Sequence, residues 1–220
     1  MKYQLHSFKD ARVILENDPA YLGLWEDITE VIESITDQDL IDGYNSLKRK
    51  KKKSLSEPIN DLIDKRLVQK GWNRQSPIFV ESKYQKGKET RWTLDFSKNL
   101  IAVEVAFNHG EAAAWNLLKP VLSSQLNHVE KAIQTSAGVI ITATNDLKRK
   151  GNFDNSVGTY EKYLDYLRPF SNILNVPLII MGLESPESFY ITPCEGDIPP
   201  KISMNFGFQS KLEEKYNTRS

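Results

Sequence analysis

The sequence predicts an α/β fold, a central mixed β-sheet sandwiched by helices. Three observations carry that expectation. Short apolar runs of strand length recur at 100–107 (LIAVEVAF), 138–144 (GVIITAT) and 176–183 (VPLIIMGL). Stretches with apolar residues at helical spacing lie before and between them, so strands and helices alternate. The first run follows another strand-like stretch across the polar segment SKN (97–99), which adds an antiparallel pair to strands that need crossover connections.

In order along the chain, residues 21–35 place Leu24, Trp25, Ile28, Val31, Ile32 and Ile35 on one face of an amphipathic helix. The polar stretch TDQDLIDG ends or interrupts it. Ser56, Glu57 and Pro58 form a helix start, because proline is tolerated in the first turn. Ile59, Leu62, Ile63, Leu67 and Val68 give that helix its apolar face, and Gly71 gives it a stop. IFVE (78–81) and RWTLDF (91–96) read as strands, and LIAVEVAF is the clearest strand of all. A helix begins near Glu111 and runs through AAAWNLL. Pro120 kinks it or separates it from a second segment carrying Leu122, Leu126, Val129 and Ile133. TYEKYLDYL (159–167) is helical, SFYIT (188–192) adds an edge strand, and the tail from about residue 205 is polar.

The chain, 1–220, reads as one domain, with neither an internal repeat nor a long Pro/Gly/Ser linker. Its 40% hydrophobic and 26% charged residues are those of a globular protein. No run approaches the roughly 18 apolar residues of a membrane span. MKYQLHSFKD lacks the apolar stretch of a secretory signal. The single cysteine, Cys194, excludes an internal disulfide and a cysteine-based zinc site, and fits a reducing cytoplasm. Basic and acidic residues number 29 each, so there is no global pull toward nucleic acid. The charge is nevertheless uneven. KRKKKK (48–53), which contains Lys50 and Lys51, is either a solvated loop or a phosphate-contacting arm. Lys148, Arg149 and Lys150 form a second basic patch, while acids crowd residues 25–39. There is no P-loop, no Gly-rich dinucleotide turn and no Gly-x-Ser-x-Gly.

The chemistry concentrates in LDFSKNLIAVEVAF (94–107). Glu104 interrupts an apolar strand, where an ionised carboxylate is costly unless something pairs with it. Alternation puts Glu104 on one face with Ala102 and Ala106, while Ile101, Val103, Val105 and Phe107 point to the other. The two alanines leave room for a cation, water or phosphate. Asp95 stands earlier, across the turn. A strict three-residue turn would part the two carboxylates by roughly 10 Å of strand rise, whereas another register lets them converge. Two converging carboxylates with a backbone carbonyl between them suit magnesium, which takes about six oxygens and retains several waters. Such an ion activates water and stabilises charge on a phosphate. The plain alternatives are a strand Glu paired with Lys or Arg, and an ordinary turn Asp.

This stretch resembles the catalytic core of type II restriction endonucleases, in the BglII and BstYI branch of the PD-(D/E)xK nucleases. The branch pattern reads Asp-Phe, a polar turn, an apolar strand and Glu-Val-Gln-Phe. Here it reads Asp95-Phe96, SKN, LIAV and Glu104-Val105-Ala106-Phe107. KGW (70–72), GVIITAT, NSVGTYEKY (155–163) and VPLIIMGL follow the branch's order, so the resemblance spans about residues 60–185. It implies a restriction-endonuclease-like fold, with Asp95, Glu104 and the carbonyl of Val105 as magnesium ligands. Ala106 departs from the pattern, because the branch places Lys, Gln or Glu there to orient or activate the attacking water. Gln75 matches a polar residue that helps position water in BglII-type enzymes, at a different spacing; Glu111 and Glu81 are further substitutes. FNHGE (107–111) matches the loop that reaches the major groove, which puts Asn108 and His109 at reading positions. Asparagine can meet adenine through two hydrogen bonds. Asn155 and Ser156 match a second polar loop near the bases, and both residue types also serve as turn residues or helix caps.

The resemblance therefore implies a magnesium-dependent endonuclease that cuts double-stranded DNA at a short palindromic site, with GATC within it by analogy. It also implies a homodimer whose two-fold axis matches that of the site. AAAWNLL and a helix at 122–135 are the candidate dimer surfaces. A repair-type nuclease and a DNA-binding protein deprived of catalysis by Ala106 are the rival readings. His6, His128, Trp115, Tyr160, Tyr163 and Tyr166 read as packing or surface residues rather than ligands or stacking platforms.

Overall fold

A computed structural model describes residues 1–48, 53–85, 92–125, 129–193, 196 and 198–205. The elements are β1 (Tyr3–Phe8), α1 (Ala11–Asn17), α2 (Pro19–Ser34), α3 (Asp37–Ser46), α4 (Ser56–Gln69), β2 (Asn73–Pro77), α5 (Ser82–Gln85), β3 (Thr93–Lys98) and β4 (Ile101–Val105). A single 3-10 turn (Gly110–Ala112) leads into α6 (Ala113–Ser124), followed by β5 (Ala137–Ala143), α7 (Asn145–Lys150), α8 (Tyr160–Leu167), β6 (Leu178–Leu183), β7 (Phe189–Thr192) and β8 (Lys201–Met204).

The expected mixed sheet is present. Its order is β1-β6-β5-β4-β3-β2, and β7 and β8 form a separate two-stranded ribbon. β4, β5 and β6 run parallel, while β1, β3 and β2 pair antiparallel with their neighbours. β5 and β6 are buried at every position, as parallel strands with helices on both faces must be. Ile101, Val103, Val139, Ile141 and Ile179 meet a core closed by Leu15, Ile28, Ile32, Ile59 and Ile63 of α1, α2 and α4. Ala106, Ile140 and Ile180 meet a second core, closed by Ala113 and Leu117 of α6 and Tyr163 of α8.

Several local expectations change. TDQDLIDG is not a helix end but most of α3. Thr36 Oγ1 accepts the Asp39 N–H, and the Asp39 carboxylate accepts the Thr36 N–H, a reciprocal cap that starts a new helix. IFVE is not a strand; β2 is the polar NRQSP before it. As an edge strand β2 tolerates Pro77, and Ile78 and Phe79 fold over its end into a small core with Leu94 and Ala102. Pro120 does not divide α6, which continues to Ser124. Of the helix expected at 122–135, residues 122–124 are the end of α6, and the described residues 125 and 129–135 are not helical. After α6 the chain turns back irregularly, and Thr135 binds Ser123 through its backbone N–H (3.2 Å) and its hydroxyl (2.6 Å). Phe189–Thr192 pairs with β8, and the edge beside β6 belongs to β1, a strand the sequence pattern did not announce. Lys50, Lys51, Arg91, Leu126, His128, Cys194 and the tail beyond Asn205 lie outside the described residues. Among the described residues no helix is long and apolar enough to cross a membrane.

Candidate active site

β3 and β4 are joined by Asn99 and Leu100 alone, so Lys98 opposes Ile101, Ser97 opposes Ala102 and Phe96 opposes Val103. Asn99 takes φ 47, the left-handed backbone that a two-residue hairpin turn demands and that asparagine tolerates. One step further along this register Asp95 comes opposite Glu104. There the ladder gives way to side chains. The Val105 N–H donates to Asp95 Oδ2 at 2.9 Å, and the Asp95 N–H donates to Glu104 Oε1 at 3.4 Å. The two-residue turn thus removes the separation that a three-residue turn would impose.

The row extends into β2. Arg74 opposes Phe96 and Ser76 opposes Leu94, which sets Gln75 across from Asp95. Gln75 adopts φ 49, and its side chain helps hold the Asp95 carboxyl down against burial. Gln75, Asp95 and Glu104 therefore stand side by side on three adjacent strands, although residues 75 and 104 are far apart in sequence. Glu81 pairs with Lys83, and Glu111 is exposed on the 3-10 turn; neither is among the groups that act on Asp95 or Glu104.

Glu104 points to the α6 side of the sheet, as strand alternation requires. It is 1% exposed, and its Oε2 accepts a hydrogen bond from buried Lys119 Nζ at 2.6 Å. Lys119 is the site residue that sequence reasoning missed. A signal was available: Lys119 lies on the face of α6 that buries Ala113, Asn116, Leu117 and Val121. A lysine there needs a buried acid for the same reason that Glu104 needs a buried cation.

Burial pushes the Glu104 carboxyl up to about 8; the negative charge of Asp95 adds to the rise, and Lys119 opposes it. Burial also raises Asp95, against the pull of Lys119, the Val105 N–H and Gln75. When both acids are ionised, two negative charges face one ammonium. That surplus fits a divalent cation. Among the described residues no group of three or more His, Cys, Asp and Glu side chains could hold a metal ion. A cation here would therefore draw on Asp95, Glu104, a backbone carbonyl such as that of Val105, and water, the oxygen-rich and partly hydrated set that magnesium accepts.

The two loops expected to read bases are stitched to one another. Asn108 and His109 are exposed just beyond β4. The Gly158 N–H donates to Asn108 O at 3.1 Å, the Gly110 N–H donates to Ser156 O at 2.6 Å, and His109 bridges to Val157. Asn155 and Ser156 are exposed as well, with Ser156 donating from both its N–H and its hydroxyl to Asp154 in a local turn. Beneath them, Asn116 Nδ2 donates to Asn108 Oδ1 at 3.1 Å and to the Tyr163 hydroxyl at 2.7 Å. The KGW segment, by contrast, is structural. Trp72 Nε1 and Lys70 Nζ both donate to Asp27 of α2.

Comparison with known sequences decides the kinship. The profile of the family described as "Restriction endonuclease BglII/BglIII" matches residues 3–183, from the first residue of β1 to the last of β6. The chain belongs to the BglII/BglIII restriction endonuclease family. That membership makes it a DNA endonuclease of the restriction type. No curated protein is close enough in sequence to count as a match. Among solved structures, "Crystal structure of restriction endonuclease BGLII complexed with DNA 16-mer" is similar at a TM-score of 0.62 and 21% identity, covering 93% of this chain and 89% of that one. "Crystal structure of free BglII" is similar at a TM-score of 0.51 and 20% identity, covering 93% and 92%. At such identities the likeness speaks for the fold, and the expected restriction-endonuclease-like architecture is the one found.

Proposed function

We propose that this BglII/BglIII-family chain is a magnesium-dependent type II endonuclease, working as one domain per protomer in a homodimer. It cuts both strands of a short palindromic DNA site, for which GATC is the family-based suggestion. The observation that carries the reading is the meeting of Asp95 and Glu104 across β3 and β4, held by the Val105 N–H. In support, the similar BglII structure holds a DNA 16-mer.

Asp95 and Glu104, with the Val105 carbonyl, would hold the metal. When bound, magnesium neutralises charge on the scissile phosphate and makes water a better nucleophile. The protein supplies the rest. The Val105 N–H fixes the Asp95 carboxylate, Gln75 stands across from it on β2, and α6 shields Glu104 from bulk water. Asn108, His109, Asn155 and Ser156 are assigned to base contact, on loops tied to each other by backbone hydrogen bonds. Lys50 and Lys51 are assigned to phosphate contact.

The test is incubation of the purified protein with unmodified phage DNA and magnesium, beside Glu104→Ala. Discrete bands from the first and none from the second are expected. A smear points to a nuclease without sequence preference, and equal cutting by both proteins removes Glu104 from the mechanism. Ala106 favours one second reading, a DNA-binding protein without catalysis, for which metal-dependent retention of one DNA sequence without any cutting is the signature.

A further inference from the structure

We propose that Lys119 supplies, from helix α6, the side-chain charge that strand position 106 lacks: it is the counter-ion of Glu104 in the metal-free protein and turns to the scissile phosphate when a divalent cation takes its place. This rests on the nuclease reading above and names a further residue of that site.

The geometry carries it. Lys119 Nζ lies 2.6 Å from Glu104 Oε2, whereas Oε1 of the same carboxylate faces the Asp95 N–H. The ammonium thus occupies an oxygen that an incoming cation would claim, and two positive charges cannot share it. An ammonium has three donors, and among the described residues Glu104 is the side chain that takes one of them. Ala106 is buried in one core with Ala113 and Leu117 of α6. α6 therefore packs over position 106, and from the same helix Lys119 reaches Glu104, which points to the same face of β4. The helix is held to the sheet where Gly138 admits Pro120: a Cβ at Gly138 would lie 2.6 Å from Pro120 Cβ. Asn116, on the same face one turn earlier, is tied to Tyr163. A lysine so placed is held in position before any ligand arrives.

The test uses the full chain as wild type, as Lys119→Gln, and as the relocation variant Ala106→Lys with Lys119→Ala, each checked for folding by circular dichroism. One arm titrates calcium calorimetrically at pH 9 without DNA. The other measures single-turnover cleavage in magnesium of a DNA that the wild type cuts. Loss of the competing ammonium should make Lys119→Gln bind calcium several-fold more tightly, yet cut at least about 100-fold more slowly. The relocation variant, with its lysine back at the strand position, should regain at least about a tenth of the wild-type rate. A merely structural lysine gives the opposite pairing, weaker calcium binding with slower cutting, and that result overturns the proposal. Unchanged cutting by Lys119→Gln, or a folded relocation variant that stays inactive, also overturns it. If Lys119→Gln does not fold, the relocation variant decides. If the wild type cuts no DNA at all, the nuclease reading falls and the calcium arm still judges Lys119 as counter-ion.

Discussion

Glu104 sets the chemistry at the scale of single residues. Its carboxyl is pushed up from 4.5 to about 8, burial being the first cause. A raised value means that the metal-free fold favours the protonated form below about pH 8 and the ion pair with Lys119 above it. The stability contributed by this group is fully present below the unfolded value and is lost as pH rises through about 8. The metal-free protein should therefore lose Tm across that interval, and Glu104→Gln, scanned in parallel, should lose the slope. In the proposed metal site, cation binding reads the same proton from the other side, because a carboxylate ligand must be deprotonated. Below about pH 8 the apparent calcium affinity should climb about tenfold per pH unit and then level off, which calorimetric titration at several pH values will show. Asn116 offers a test of specificity. It donates to Asn108 Oδ1, so it fixes which way the Asn108 amide faces. Asn116→Ala should relax discrimination at one base pair, by a factor on the order of 10, as measured by competition between DNA sites.

At the scale of elements, α6 decides whether the site is assembled. It brings Asn116 and Lys119 to the sheet, and it lies close because Gly138 has no side chain. Gly138→Ala should push Pro120 and the helix outward. The expected cost is about 1–3 kcal/mol in urea denaturation, with a fall in cleavage rate because both polar residues ride on the displaced helix. Thr36→Ala is the matching control. It removes the cap of α3, remote from the site, and should cost about 1 kcal/mol with the cleavage rate unchanged. A rate loss equal to that of Gly138→Ala would show that general stability, not the placement of α6, limits cutting.

At the scale of the whole molecule, a palindromic site calls for a two-fold dimer, and sedimentation should give twice the mass of one chain. The surfaces first suggested for that dimer are AAAWNLL and 122–135. The described part of 122–135 is helical only to Ser124, where α6 ends, and Ala113 and Leu117 of AAAWNLL are buried inside the protomer. A monomer that still makes paired cuts at concentrations well below dimer formation would count against the two-fold arrangement.

The local patterns carried much of the molecule. Apolar runs of strand length, helical spacing and the alternation around Glu104 are short-range consequences of backbone geometry, and they gave the sheet, most helices and the face on which the acid lies. The Asp-Phe and Glu-Val-x-Phe residues named the family for the same reason: they are neighbours along the chain. Other features were settled only when distant segments packed. The hairpin register depended on which residues turned, the last polar strand depended on an edge that could accept Pro77, and β1 gained its place from β6. Above all, Glu104 found its partner on a helix beyond the strand's end, and Asn108 found Gly158 and Asn116. A strand records in its own sequence that a charge must be answered; which residue answers it is decided by the crossover that lays α6 against the sheet.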